Sequence, residues 1–359
     1  MQAYITMKKN LILIVAALFI AIGCSTEYEI LASKENISLS SDVTEQVIER
    51  PITFKVINSN GFNLSPYSDF FVDGVKIEGN KFTADVVGVH TVTAVYGLVT
   101  SVPIQISFVA EPVINFRKRM LMEDYTGVWC GWCPRVAHAI ELVHDQTEDG
   151  IAVAIHGPGS NPSDTGYDPY TFDTSAFEAT AGLAPGYPKG YLNRNIQWAF
   201  PEPNNIDQAI ALTQGTNPNL GLAMTSASLG SGNSINLDVN VMFGKDFTND
   251  LKLVVYVLEN GLVYNQHNYT SYYNGDDLLV GYVHNHVLRA TLTPMTGEVI
   301  NAADTKTENT YRRTFNASLP SNIANPNNIE IVAFVLDETG RVLNVRKTSL
   351  GETQSIEIL

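Results

Sequence analysis

The feature that most constrains this chain is a change of period along it. Two long stretches alternate apolar and polar residues every second position, and a shorter stretch between them does not. From about 46 to 110 the runs Ile52-Thr53-Phe54-Lys55-Val56 and Thr91-Val92-Thr93-Ala94-Val95 are separated by the turn pairs Asn60-Gly61, Asp73-Gly74 and Gly79-Asn80. Short period-2 strands at that spacing predict a small β-sandwich, immunoglobulin-like but without its cysteine pair. From about 219 to 359 alternation returns, as in Ile235-Asn236-Leu237-Asp238-Val239, and predicts a second, C-terminal β-sandwich. Between them lies the order strand (Met120-Leu121-Met122), Cys-x-x-Cys, helix (Arg135 to about Thr147), strand (Ile151 to His156). That order opens an α/β layer. The expected fold class is multidomain α+β, with a tether over 24–45, a first β domain over 46–110, an α/β domain over 113–216 and a C-terminal β-sandwich over 219–359.

Residues 1–23 read as an address. Lys8 and Lys9 precede the twelve-residue apolar run Leu11–Ile22. That run is too short to cross a bilayer and has the shape of a secretory signal whose start can be Met7. It ends in Ala21-Ile22-Gly23-Cys24. This resembles a bacterial lipobox, which implies acylation of Cys24 and a membrane attachment through that residue. Composition narrows the partners. The formal net charge is −15, with 37 acidic against 22 basic residues. Such a chain lacks the cations that nucleic-acid binding needs, so no nucleic-acid partner is expected.

With Cys24 lipidated, only Cys130 and Cys133 remain as thiols. A helix N-terminus lowers a thiol pKa, so Cys130 is the expected nucleophile and Cys133, one turn inside, the resolving thiol. Pro134 suits the first helical turn, where no N–H is needed. A purely structural disulfide remains open. So does zinc, although four convergent ligands are not evident. His284 and His286, on one strand face, form at most half a metal site. Asp164, Asp168 and Asp173 could offer oxygens to calcium or simply solvate a loop. Tyr264, Tyr269, Tyr272 and Tyr273 form either a binding platform or a sandwich edge. No metal and no cofactor are expected.

Trp129-Cys130-Gly131-Trp132-Cys133 after a strand resembles the thioredoxin superfamily. Asp124 stands six residues before Cys130, where thioredoxins carry a buried acid, and Gly186-Tyr187-Pro188 resembles their cis-proline loop. The resemblance implies a thioredoxin-like central domain in which Asp124 moves protons and Trp129, Gly131, Trp132, Tyr187 and Pro188 hold a substrate chain. Its substrates would be protein thiols or disulfides. The whole layout, with Glu123-Asp124-Tyr125-Thr126-Gly127, Cys133-Pro134 and Tyr282–Arg289, is similar to lipoproteins related to the 28-kilodalton outer membrane protein. That likeness implies a lipid-anchored outer-membrane location, facing the periplasm or the cell surface. The competing reading is a non-enzymatic adhesin or assembly protein with a vestigial cysteine pair.

Overall fold

The chain's apolar runs resolve into strands wherever both faces find cover. The computed structural model describes residues 36–110, 113–159, 161–163, 165–226 and 234–359. The signal and Cys24 therefore lie outside the described residues, as does Asp164.

At the N-terminal end, Ile37–Ser41, Ile52–Asn58 and Lys81–Phe82 form one small sheet. Its first strand already lies within the stretch read as tether. A second sheet is built on Gly88–Tyr96, Ile104–Val109 and Asp69–Val72. The alternating residues Phe54, Val56, Phe70, Val92, Ile106 and Phe108 point inward from both sheets and make one core. A strand with one buried face must place every second residue there.

The rest of the chain does not follow the expected fold class. Met120–Thr126 and Gly150–His156 pair in parallel, with helix α1 (Pro134–His144) between them in sequence. Lys189–Leu192 adds antiparallel on the outer side of Met120–Thr126. On the inner side, however, Gly150–His156 pairs in parallel with Val287–Thr291 at Ala154 and Val287. The Ala154 N–H also donates to the His286 carbonyl at 2.8 Å. The sheet then continues through Leu251–Glu259, Ile329–Leu336 and Val342–Ser349, nine strands in all. The central thioredoxin-like α/β domain and the separate C-terminal sandwich are thus corrected to a β-rich fold with one shared sheet. Only two further α-helices occur among the described residues, α2 (Ser175–Ala181) and α3 (Ile206–Ala211). The physical reason is the Gly150–His156 strand. It is apolar up to His156 and nearly all buried, so an edge position would leave its N–H and C=O groups buried and unpaired. The Val287 strand pairs with that edge.

Both faces of the shared sheet are covered. On one, Leu253, Val255, Val257, Ile331, Ala333 and Val335 pack against a three-stranded sheet of Leu220–Ser226, Ser234–Phe243 and Thr310–Ser318. On the other, Tyr256, Val332 and Phe334 join Leu121, Tyr125, Val153 and Tyr191 in a single core. Helices α1 and α3 cover the Met120, Met122 and Ala152 side through Ala139, Val143, Ala209 and Ile210. Among the described residues no helix is long and apolar enough to cross a membrane.

Candidate functional site

Period-2 geometry decides which acid reaches the cysteines. Glu123 and Asp124 are neighbours on one strand, so their side chains leave by opposite faces. Glu123 turns into the Tyr256 side. There it receives Arg194 Nε at 3.3 Å, and Arg194 also donates to the Tyr256 hydroxyl. Asp124 turns toward α1. It is 3 % exposed, and its Oδ1 has no hydrogen-bond partner among the described residues. Burial pushes its carboxyl well above the usual range. The nearby Glu202 charge adds to this, and Arg135 opposes it. Arg135, in the first turn of α1, is held by Glu202 through Nε at 2.5 Å and Nη2 at 3.3 Å.

Cys133 caps α1 and Pro134 is its first residue. Cys130 and Cys133 are joined as a disulfide. Asp124 and Cys133 line one cavity of about 220 Å³ together with Thr126, His156, Tyr282 and His284. The bond between Tyr187 and Pro188 is cis, and the Tyr187 ring lies 5.7 Å from that of Trp129. Trp132 is over half exposed. The expected site residues of the cysteine loop and of the Tyr187 loop thus come together, with Asp124 beneath.

His156, which the sequence does not mark as a site residue, stands beside Asp168. The loop aspartate Asp168 is buried and accepts from the Val128 and Tyr170 N–H groups at 2.9 and 2.8 Å. His156 Nδ1 meets its Oδ2 at 2.8 Å. Burial would raise the Asp168 pKa, but the His156 bond and charge, with the two backbone donors, outweigh this and hold it low. Neither a solvated loop nor a calcium ligand describes Asp168, and Asp173 instead binds Ser175 N–H and hydroxyl. His284 is pushed down to about 4 by burial and by His156, so it is neutral, and its Nε2 has no partner among the described residues. His286 pairs with Glu330 at 2.9 Å. Among the described residues no three His, Cys, Asp or Glu side chains are grouped to hold a metal ion.

The tyrosine-rich stretch folds back onto the cysteine loop. Strands Leu262–His267 and Leu278–His284 form a hairpin, and the loop joining them lies on α1 and the cysteine loop. Tyr272 stacks on His138 with ring centres 4.3 Å apart. The Tyr273 hydroxyl donates to Glu141 at 3.0 Å. Asn268, fully buried, donates to the Tyr272 and Asp276 carbonyls and accepts from Thr270, which fixes the loop's shape.

Residues 174–354, half of the chain, match the family described as outer membrane protein Omp28. That match includes the hairpin and leaves out the cysteine pair. No curated protein matches the chain. Among solved structures, HBP35 of Porphyromonas gingivalis is 21% identical over 67% of this chain and 77% of its own, with a TM-score of 0.46. A glycosyl hydrolase family 2 member from Bacteroides cellulosilyticus is 10% identical over 89% of this chain and 25% of its own, with a TM-score of 0.25. At these TM-scores neither likeness defines the fold or the chemistry of this chain.

Proposed function

Since the chain belongs to the family of outer membrane protein Omp28, we propose that it is a lipid-anchored outer-membrane protein that exchanges disulfides with protein thiols at Cys130–Cys133. The observation that carries the chemistry is Asp124, a buried acid whose Oδ1 has no hydrogen-bond partner among the described residues, in the same cavity as Cys133. A carboxyl whose pKa is raised by burial is matched to delivering a proton to a leaving thiolate. In the oxidised form described here, a substrate thiolate attacks Cys130 Sγ, forming a mixed disulfide. The Cys130–Cys133 bond breaks, and Cys133 leaves as a thiolate that takes the Asp124 proton. A second substrate thiolate attacks the mixed disulfide and releases Cys130 as a thiolate. Two electrons pass from the substrate to the cysteine pair, and the reverse sequence passes them back. Trp129, Gly131 and Trp132, with Tyr187 and Pro188, form the surface on which the substrate chain is held.

The anchor at Cys24 is the other half of the proposal. Its support is the apolar run ending in Ala21-Ile22-Gly23-Cys24. Mass spectrometry of the membrane fraction is expected to show a diacylglyceryl-cysteine N-terminus, and an unlipidated soluble product would overturn it. For the chemistry, Asp124→Asn is expected to slow exchange at pH 7 while Glu123→Gln, altered on the opposite face, retains it. Equal rates in both variants, in an assay where Cys130→Ser is inactive, would remove Asp124 from the reaction. One observation favours a second reading, a structural disulfide in a non-enzymatic surface protein: Cys130 and Cys133 are only 5 % and 1 % exposed.

A further inference from the structure

A disulfide that exchanges with proteins must be reached, and this one is covered by the chain itself. The cysteine loop offers the carbonyls of Gly127, Val128, Cys130 and Gly131, and the four-residue segment 266–269 donates to all of them. Gln266 Nε2 reaches Gly127 and Cys130 at 3.2 and 3.1 Å. His267 N–H donates to Val128 at 2.9 Å, and Tyr269 N–H donates to Gly131 at 2.6 Å. Two alternate N–H groups bonding to a neighbouring main chain is how an extended peptide adds to an exposed edge. The Tyr269 ring then lies on Gly131. A Cβ at Gly131 would stand 2.3 Å from Tyr269 Cδ2 and 2.5 Å from its Cγ. The ring also meets Trp132 edge-on at 6.0 Å. Glycine between the two cysteines is therefore what permits the cover to seat.

We infer that the segment 266–269 is an autoinhibitory lid. It occupies the place of an extended substrate chain on the cysteine loop, and Tyr269 closes it over Gly131. The inference rests on the exchange reading above and adds its control. The partner it selects is an extended polypeptide that carries a thiol and its own N–H donors for the Val128 and Gly131 carbonyls. Between the segment and the cysteine loop, opening breaks four hydrogen bonds and one aromatic contact, each a small contribution.

The test is reduction of the disulfide in the full chain by dithiothreitol, followed by alkylation and mass. Dithiothreitol is oxidised to its cyclic disulfide as Cys130 and Cys133 gain two electrons and two protons. Tyr269→Gly is expected to speed reduction at least about tenfold, the loss of one ring contact and loosening of one hydrogen bond. Gly131→Ala, which drives the ring off from the other side, is expected to speed it similarly. The double variant is expected to be no faster than Tyr269→Gly alone, because the added methyl then has nothing to displace. Additive effects, or equal rates in wild type and all variants, would overturn the lid while leaving exchange intact. A disulfide that resists reduction in every variant would overturn both the lid and the exchange reading.

Discussion

Replacing Asp124 by Asn separates the stabilising and the chemical roles of one carboxyl, because the two are expected to move in opposite directions. The folded-state pKa of Asp124 is raised, first by burial and next by Glu202, above an unfolded value near 4. Its contribution to stability is therefore fully present below about pH 4 and is lost as pH rises through the folded value. Within that window the native state holds one proton more than the unfolded chain, so each pH unit costs about 1.4 kcal/mol. Asn cannot ionise, so the variant lacks this slope. Urea unfolding of the full chain, with the disulfide intact, is expected to show near-equal stability of the two proteins at pH 4. The variant should gain on wild type by up to about 1.4 kcal/mol per pH unit above that. The same substitution removes the proton donor for Cys133 and is expected to slow exchange at pH 7 about 100-fold. A variant that is more stable yet slower is not what a packing defect produces. Identical pH dependence of stability in the two proteins would refute the reasoning, since Asp124 would then not be held protonated by the fold.

Glu202→Gln breaks the buried pair with Arg135 and should cost roughly 3–5 kcal/mol by chemical denaturation. It also removes a negative charge from beside Asp124 and frees Arg135, so the Asp124 carboxyl should titrate lower, read by ¹³C NMR of the carboxyl. Asp168 behaves with the opposite sign. Its folded pKa is depressed, so its stabilisation is present above about pH 4 and disappears as pH falls through the folded value. Amide exchange at Val128 and Tyr170, both bonded to Asp168, should accelerate in acid, and Asp168→Asn should abolish that pH dependence. Phe334→Ala, in the core shared by the two halves of the large sheet, should cost about 3–5 kcal/mol and loosen Met120–Thr126 in hydrogen exchange although that strand is over 200 residues away in sequence.

Local signals made some of this molecule legible. The apolar runs around Leu121 and Val153 marked strands, Pro134 marked the start of α1, and period 2 separated Glu123 from Asp124. These depend on a few adjacent residues, which is the range over which period and turn chemistry act. The fold class failed at one pairing, Ala154 with Val287. An apolar strand declares that its edges need partners but not which strand will supply them. The same limit hid the cover on the disulfide. Nothing in the tyrosines near 269 encodes a hydrogen bond to Gly131, and the cysteine motif offers Gly131 only as part of a surface for a substrate chain. Asp168 was misread because an acidic, turn-rich stretch looks solvated until His156 and two backbone N–H groups are seen to enclose its carboxylate.

The central claim is that the Cys130–Cys133 disulfide is an exchange centre rather than a staple. Its reduction potential in the full chain, equilibrated against a dithiol buffer and read by alkylation, tests this most directly. Exchange chemistry predicts reversible equilibration at a potential above about −300 mV, in the range of thiol–disulfide oxidoreductases. A potential below about −300 mV, with no exchange onto a reduced protein substrate, would contradict the account and identify the disulfide as structural.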